Sequence, residues 1–342
     1  MVTETLRSWA PGRVNLIGDH TDYAGGLVLP MAINLGTTVT LQPGGNTLHL
    51  RSARRQSLHL DLPLGGVLAE DLTTLEPAWG RFVAAAVLEL ASTVGGSGEV
   101  TTTLPVGAGL SSSSSLELAV ALVLGFDGSP LELARFGQRA EQVASGVPSG
   151  IMDQLTIAAG VAGHALLIDC ATERHRAVRM PDSVEVWVLH SGVPRRLADS
   201  AYAERRSATE VAARVVGPLA EASLDDIEAI DDPVLVRRAR HVRTECDRVR
   251  VAAAALEADD PTEVGQLMLQ SHASLRDDFN VSVPELDHLV LELSSRGDVF
   301  GARLTGAGFG GCVVVLARPG TDLSTVRSDA WLVQAGDGAR LL

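Results

Sequence analysis

Residues 105 to 124 set a turn, a serine run and a helix back to back, and that order limits what the surrounding chain can be. Pro105, Gly107 and Gly109 supply turn chemistry, and glycine lets backbone approach a ligand closely. Leu110 leads into Ser111, Ser112, Ser113, Ser114 and Ser115. Beyond them Leu116, Ala119, Val120 and Val123 recur at helical spacing and predict a helix with one apolar face. Serine is a favoured N-cap, so the helix is expected to start inside the serine run. A glycine-rich loop entering a helix presents unpaired N–H groups and the positive end of the helix dipole, which suits phosphate. The serine hydroxyls suit phosphate oxygens or a Mg²⁺ shell. A Ser/Gly turn before an ordinary packing helix is the alternative. A Walker A loop is excluded because it requires lysine, and all 28 basic residues are arginine. The same absence removes lysine-dependent kinase and Schiff-base chemistry.

A chain of 342 residues allows one large or two ordinary domains. Its 46 % apolar content supports real cores, but aromatics make up only 4 %, so Leu, Val and Ala must do most of the packing. A net charge of −14 argues against nucleic acid or an anionic membrane as partner. An anionic nucleotide would then need local help from N–H groups, arginine and metal. Cys170, Cys246 and Cys312 are widely spaced and form no zinc or disulfide pattern. Residues 1 to 10 lack a signal-peptide core, and no apolar run reaches the ~18 residues of a membrane helix. The expected location is cytoplasmic.

Val14, Leu16 and Ile17 predict a short buried strand running into Asp19, His20, Thr21, Asp22 and Tyr23, a polar loop closed by Gly25 and Gly26. Two carboxylates, an imidazole and a phenol so close together make many hydrogen bonds of fixed geometry, as a polyhydroxylated ligand such as a sugar requires. A metal site and a solvated turn are the other readings. Strands are expected over 27–41, 48–60, 100–104, 165–170, 184–190 and 313–317. Helices are expected over 79–91, 130–144 (carrying Glu141), 154–159 and 197–216. Three more open at Asp232-Pro233, Asp260-Pro261 and Pro284. Asp153, just after a glycine and at a helix start, is either a dipole partner or cap, or a carboxylate aimed into a cleft as general base. Gly306, Gly308, Gly310 and Gly311 suggest backbone closing over a ligand, or else a flexible hairpin. A domain boundary is expected near 171–183, where a charged stretch separates two apolar strands.

Three separated stretches resemble the GHMP small-molecule kinases: Pro105 to Ser115, Leu304 to Gly311, and Gly12 to Tyr23. The last, Gly12-Arg13-Val14-Asn15-Leu16-Ile17-Gly18-Asp19-His20-Thr21-Asp22-Tyr23, is similar to the galactokinase signature. Gly150 to Gln154, Ile168 to Cys170, Ser200 to Tyr202 with Arg205 and Arg206, and Ser271 to Asp278 also look like galactokinase segments. The resemblance covers nearly the whole chain. It implies an α+β, two-domain GHMP kinase fold: a ribosomal-protein-S5-like α/β domain over 1–175 and a C-terminal α+β domain over 176–342, with the active site in the cleft between them.

The same resemblance implies transfer of the γ-phosphoryl group of ATP to the C1 hydroxyl of α-D-galactose with Mg²⁺, as in the Leloir pathway. Asp153 takes the catalytic aspartate role with Arg13 beside it. Asp19, His20 and Asp22 grip the sugar with Gly150 and Tyr202. Gly107, Gly109, Leu110 and Ser111 to Ser115 hold ATP, and Ser113 and Glu141 face the metal. A sugar-1-kinase for another hexose, amino sugar or pentose is the alternative. A galactose sensor is the further one, although the serine loop and Asp153 are intact here. The chain departs from the family pattern at Asp19, where Glu is usual, and at Ser191-Gly192 and Pro194, with Arg195 adjacent as a substitute basic residue. Galactose and ATP are the expected partners, with no nucleic acid or membrane. Oligomeric state is left open, a monomer being compatible.

Overall fold

A computed structural model describes residues 4–52, 59–64, 72, 74–105, 107–146, 149–194 and 198–342. The first half is built on a sheet of β1 (Leu6–Asn15), β3 (Pro30–Pro43), β4 (Thr47–Ser52), β5 (His59–Pro63) and β6 (Gly96–Thr102), with β2 (Leu27–Val28) lying outside it. The sheet closes with β13 (Arg340–Leu341) in the order β13-β1-β3-β6-β4-β5, parallel only at β4 and β6. One face is covered by α1 (Gly80–Leu90), α2 (Ser112–Val123), α3 (Pro130–Ser145) and α4 (Met152–Ala159), whose Leu, Val and Ala side chains form the first core with those of the strands. The expected single strand over 48–60 is two strands, and residues 53–58 between them lie outside the described residues.

The second half alternates differently. A four-stranded antiparallel sheet runs β10 (Val299–Thr305), β11 (Cys312–Ala317), β9 (Glu185–His190), β12 (Ala330–Val333). It packs with α5 (Ala198–Val216), α6 (Leu224–Glu228), α7 (Pro233–Glu257), α8 (Pro261–Asp277) and α9 (Pro284–Ser294). The helix starts follow local chemistry. Asp232 accepts the Val234 N–H at 2.7 Å and Asp260 the Glu263 N–H at 3.1 Å, each with proline in the first turn. Ser129 and Glu132 form a reciprocal capping box at α3.

The charged stretch expected to separate the domains is itself a strand. β7 (His164–Asp169) and β8 (Arg174–Arg179) form an antiparallel hairpin that continues to β2, so a division after residue 175 passes through β8. A second core joins Val14, Leu16, Ile17 and Leu29 to Val188, Val249, Leu267 and Val314, and β13 returns the C-terminal residues to β1. The polar loop after β1 is therefore pressed between the halves. Among the described residues no helix is long and apolar enough to cross a membrane.

Candidate active site

Three segments far apart in the chain meet at one carboxylate. Arg13 comes from β1, Ser111 from the loop before α2, and Asp153 from the first turn of α4. Arg13 Nε and Nη2 donate to Asp153 Oδ1 and Oδ2, each at 2.6 Å, in a two-pronged pair. Arg13 Nη1 donates to the Gly109 carbonyl at 2.8 Å, and the Ser111 hydroxyl donates to Asp153 Oδ2. Asp153 does not cap α4; Ile151 holds that position with no side-chain bond. With 25 % of its side chain exposed, Asp153 still faces open space.

The serine run divides its work. The helix starts at Ser112, after Ser111 in a left-handed conformation (φ 56°) instead of the extended one typical of an N-cap, and no side chain caps it; the Ser111 hydroxyl donates to Asp153. Gly107 and Gly109 also have positive φ, at 80° and 73°. Leu110 is buried, and its carbonyl accepts the Arg13 N–H at 3.2 Å. Ser112 is exposed. Ser113 and Ser114 donate to the two oxygens of Glu141 at 3.0 and 2.8 Å, and Gln154 Nε2 adds a bond at 2.5 Å. Burial, and then Asp153, raises the Glu141 pKa against the pull of those hydroxyls. Ser115 corrects the expected ATP set. It is fully buried, its hydroxyl donates to the Ala10 carbonyl at 2.8 Å, and its N–H already bonds Ser111, so its place is between helix and sheet.

On the other side of Asp153 lies the polar loop. Asp22 is half-buried in a short turn, and burial followed by the nearby Asp153 pushes its pKa up to about 6. Gly150 packs directly on the Asp22 carboxylate. Tyr202, on α5, brings its ring 5.7 Å from His20 and 5.5 Å from Tyr23. His20 is buried at φ 66° and stacks 4.7 Å from Phe279. Its Nε2 is 3.3 Å from the Ala307 carbonyl, which can only accept, so Nε2 carries the proton and Nδ1 accepts from the Tyr23 hydroxyl at 2.9 Å. Burial, reinforced by His241, lowers the His20 pKa to about 3, leaving the ring neutral.

Asp19 is enclosed at the start of this loop. Only 2 % exposed, its carboxylate accepts from Arg303 Nη2 at 2.5 Å and from the Gly306 N–H at 3.0 Å. The third glycine stretch, 306–311, joins β10 to β11 and is no loose hairpin. Phe309 N–H bonds the Val281 carbonyl at 2.8 Å, and Gly311 N–H bonds that of Val193 at 3.0 Å. Pro194 is exposed, and Arg195, the suggested substitute, lies outside the described residues.

Sequence reasoning passed over Arg303, Glu245 and His241. Glu245 accepts from Gly18 N–H, Ser271 and Arg248. Burial alone would raise its carboxyl, but Arg248, His241 and Arg303 with Ser271 bring it down to about 2. His241 Nε2 donates to the Asp19 carbonyl at 3.1 Å. Both look like solvated charges on an arginine-rich helix, and their one signal was the i,i+4 spacing to a shared face. Among the described residues no three His, Cys, Asp or Glu side chains are grouped as a metal cluster.

Residues 4–43 match the galactokinase galactose-binding signature, 81–161 the GHMP kinases N terminal domain, and 252–330 the GHMP kinases C terminal model. The galactokinase of Lactococcus lactis, solved in complex with galactose, is 32 % identical. It aligns over 100 % of this chain and 96 % of its own, with a TM-score of 0.91. The chain belongs to the galactokinase family. As a galactokinase-family member it is an ATP-dependent sugar kinase with the two-domain GHMP fold. The fold itself is wider than the family. The Methanococcus jannaschii mevalonate kinase shares it at 19 % identity, covering 98 % of this chain and 99 % of its own with TM-score 0.70. The Cytophaga hutchinsonii homoserine kinase does so at 15 %, covering 100 % and 98 % with TM-score 0.60.

Proposed function

We propose that this galactokinase-family enzyme binds α-D-galactose beside Asp22, Gly150 and Tyr202 and transfers the γ-phosphoryl group of ATP to its C1 hydroxyl. The observation that carries this reading is the Asp153 carboxylate, bonded by Arg13 and Ser111 and lying between the serine loop and Asp22. Oδ2 carries two bonds from protein groups and Oδ1 one, so Oδ1 has acceptor capacity left for a sugar hydroxyl. Accepting that hydrogen bond aims the C1 oxygen at phosphorus. The new O–P bond forms as the bond to the ADP oxygen breaks, and the hydroxyl proton passes to Asp153. Phosphoryl transfer needs mainly alignment and charge stabilisation, so an oriented carboxylate with an arginine and an N–H-lined loop is sufficient protein machinery.

Gly107, Gly109 and the first turn of α2 cradle the ATP phosphates, where a helix start leaves N–H groups free for anions. The Glu141 carboxylate and Ser113 hydroxyl are hard oxygen donors of the kind Mg²⁺ takes alongside phosphate and water. When bound there, the ion would neutralise charge on the β- and γ-phosphates. The product is galactose 1-phosphate, and the cytoplasm is where ATP and reduced cysteines fit the chain.

Coupled ADP release with ATP and Mg²⁺ across galactose, talose, N-acetylgalactosamine, arabinose and glucuronate tests the assignment, with the phosphorylated position identified in the product. Galactose should give the highest kcat/KM and a C1 phosphate. A better substrate elsewhere in the panel, or a phosphate on another carbon, would overturn it.

A further inference from the structure

From Asn15 to Gly26 the chain makes one tight excursion, and much of its polar backbone is satisfied by the second half of the molecule. Thr305 Oγ1 donates to the Asn15 carbonyl at 3.0 Å, Arg303 Nη1 to the Leu16 carbonyl at 3.2 Å, His241 to that of Asp19, and Glu245 accepts from Gly18. Arg303 has no exposed surface. Its Nη2 meets Asp19 Oδ2 at 2.5 Å, while Asp19 Oδ1 takes the Gly306 N–H at 3.0 Å. One residue on, the Ala307 carbonyl faces His20.

We propose that Asp19 and Arg303 act as a positioning pair: the Asp19 carboxylate fixes the sugar loop against the 306–311 loop and makes no direct contact with the sugar. The inference rests on the sugar-kinase reading above and refines the role each acidic residue plays in it. Asp22 is half-buried and lies beside Asp153, whereas Asp19 is enclosed at 2 % exposure with both oxygens bonded by protein. Its short side chain ends against Arg303 Nη2 and the Gly306 N–H. A buried ion pair adds little net stability against the desolvation of both partners, but it fixes geometry when its remaining bonds are made. Here Arg303 Nη1 reaches the Leu16 carbonyl and Asp19 Oδ1 the Gly306 N–H, leaving only Arg303 Nε without a partner among the described residues, so the pair ties backbone on both sides of the junction and holds two loops at one spacing around a ligand.

The test separates contact from positioning. Asp19→Asn keeps the shape of the side chain and an acceptor for Gly306 while removing the charge opposite Arg303. KM would be measured for galactose and for the mono-deoxygalactoses in which each hydroxyl other than that at C1 is replaced by hydrogen in turn. The expected result is a KM rise on the order of tenfold, the loss of one charge-assisted bond, by the same factor for every sugar. Arg303→Lys, which keeps charge but loses the fork, should give the same uniform pattern and serves if Asp19→Asn does not fold. A factor that collapses to about one for a single deoxy sugar marks a direct bond from Asp19 to that hydroxyl and overturns the proposal. So does a KM unchanged throughout, since a variant that has merely lost folded protein loses kcat alone. Wild-type enzyme that fails to turn over galactose would instead defeat the sugar-kinase reading, a separate outcome read first.

Discussion

Gly150 lies so close to Asp22 that a β-carbon built on it would fall 1.8 Å from the Asp22 Oδ2 oxygen. No side chain fits there without moving the carboxylate. Gly150→Ala should therefore displace Asp22 and weaken sugar binding while leaving the ATP side intact. The loss of one or two charge-assisted hydrogen bonds corresponds to a rise of roughly 10- to 100-fold in KM for galactose. KM for ATP should change by less than about twofold. Steady-state kinetics with each substrate varied in turn decides it, and equal increases in both constants would mean that the strain spreads into the phosphate loop.

Asp153 and Arg13 should fail in different ways. Asp153→Asn keeps the shape but has no charge with which to take the sugar proton, so kcat should drop by about three orders of magnitude or more. Galactose should still bind, measured by calorimetry, because Asp22 and Gly150 are untouched. Arg13→Lys cannot make the paired bonds at 2.6 Å and also loses the Gly109 contact, so Asp153 and the phosphate loop both shift. A fall in kcat of roughly 10- to 100-fold is expected there. Full turnover in Asp153→Asn would remove this residue from the chemistry.

Much of the secondary structure was legible because its signals are local. The helices opening at Asp232-Pro233 and Asp260-Pro261 begin where cap and proline chemistry puts them. The strand β8 was missed because it exposes Arg174, His175, Arg176 and Ala177 in succession, leaving no alternation to read. The pairing of Arg13 with Asp153 spans 140 positions, and nothing in either neighbourhood predicts it; only the likeness to a family joined them. Asp19 shows the limit of that likeness. Its residue type suits a sugar ligand, but its ion-pair partner Arg303 comes from strand β10 and meets it only in the folded molecule.

The raised pKa of Asp22, about 6, predicts opposite pH effects on binding and on stability. As the ionised form is the better acceptor for sugar hydroxyls, kcat/KM for galactose should fall below about pH 6, approaching tenfold per pH unit. For folding the sign reverses. The native carboxyl holds its proton more tightly than the unfolded one at 3.8, so this group's contribution to stability is present below that value and is lost as pH rises towards about 6. Asp22→Asn should show a low kcat/KM without this limb, and its stability relative to wild type should rise over the same interval. A limb that persists in the variant assigns the titration to another group.

Glu117 provides a test that leaves the reacting groups in place. It follows the serine run on α2, has no exposed surface, and neither carboxylate oxygen has a hydrogen-bond partner among the described residues. Burial, and then the neighbouring Glu141, raises its pKa well above the ordinary 4.5. An unpartnered carboxylate in such a place is expensive to ionise, so the folded chain keeps the proton that the unfolded chain releases. Stability from this group is then complete below about pH 4.5 and declines as pH rises through the interval between the unfolded and folded values. Glu117→Gln fixes a neutral side chain of the same size. Thermal midpoints of wild type and variant should differ little near pH 4.5 and then diverge in the variant's favour, by about 1.4 kcal/mol per pH unit for as long as the folded chain keeps the proton, which amounts to several degrees by about pH 8. Activity should persist, since Glu141 keeps its own bonds to Ser113 and Ser114. A gap that stays constant with pH would show that Glu117 is already ionised in the folded protein.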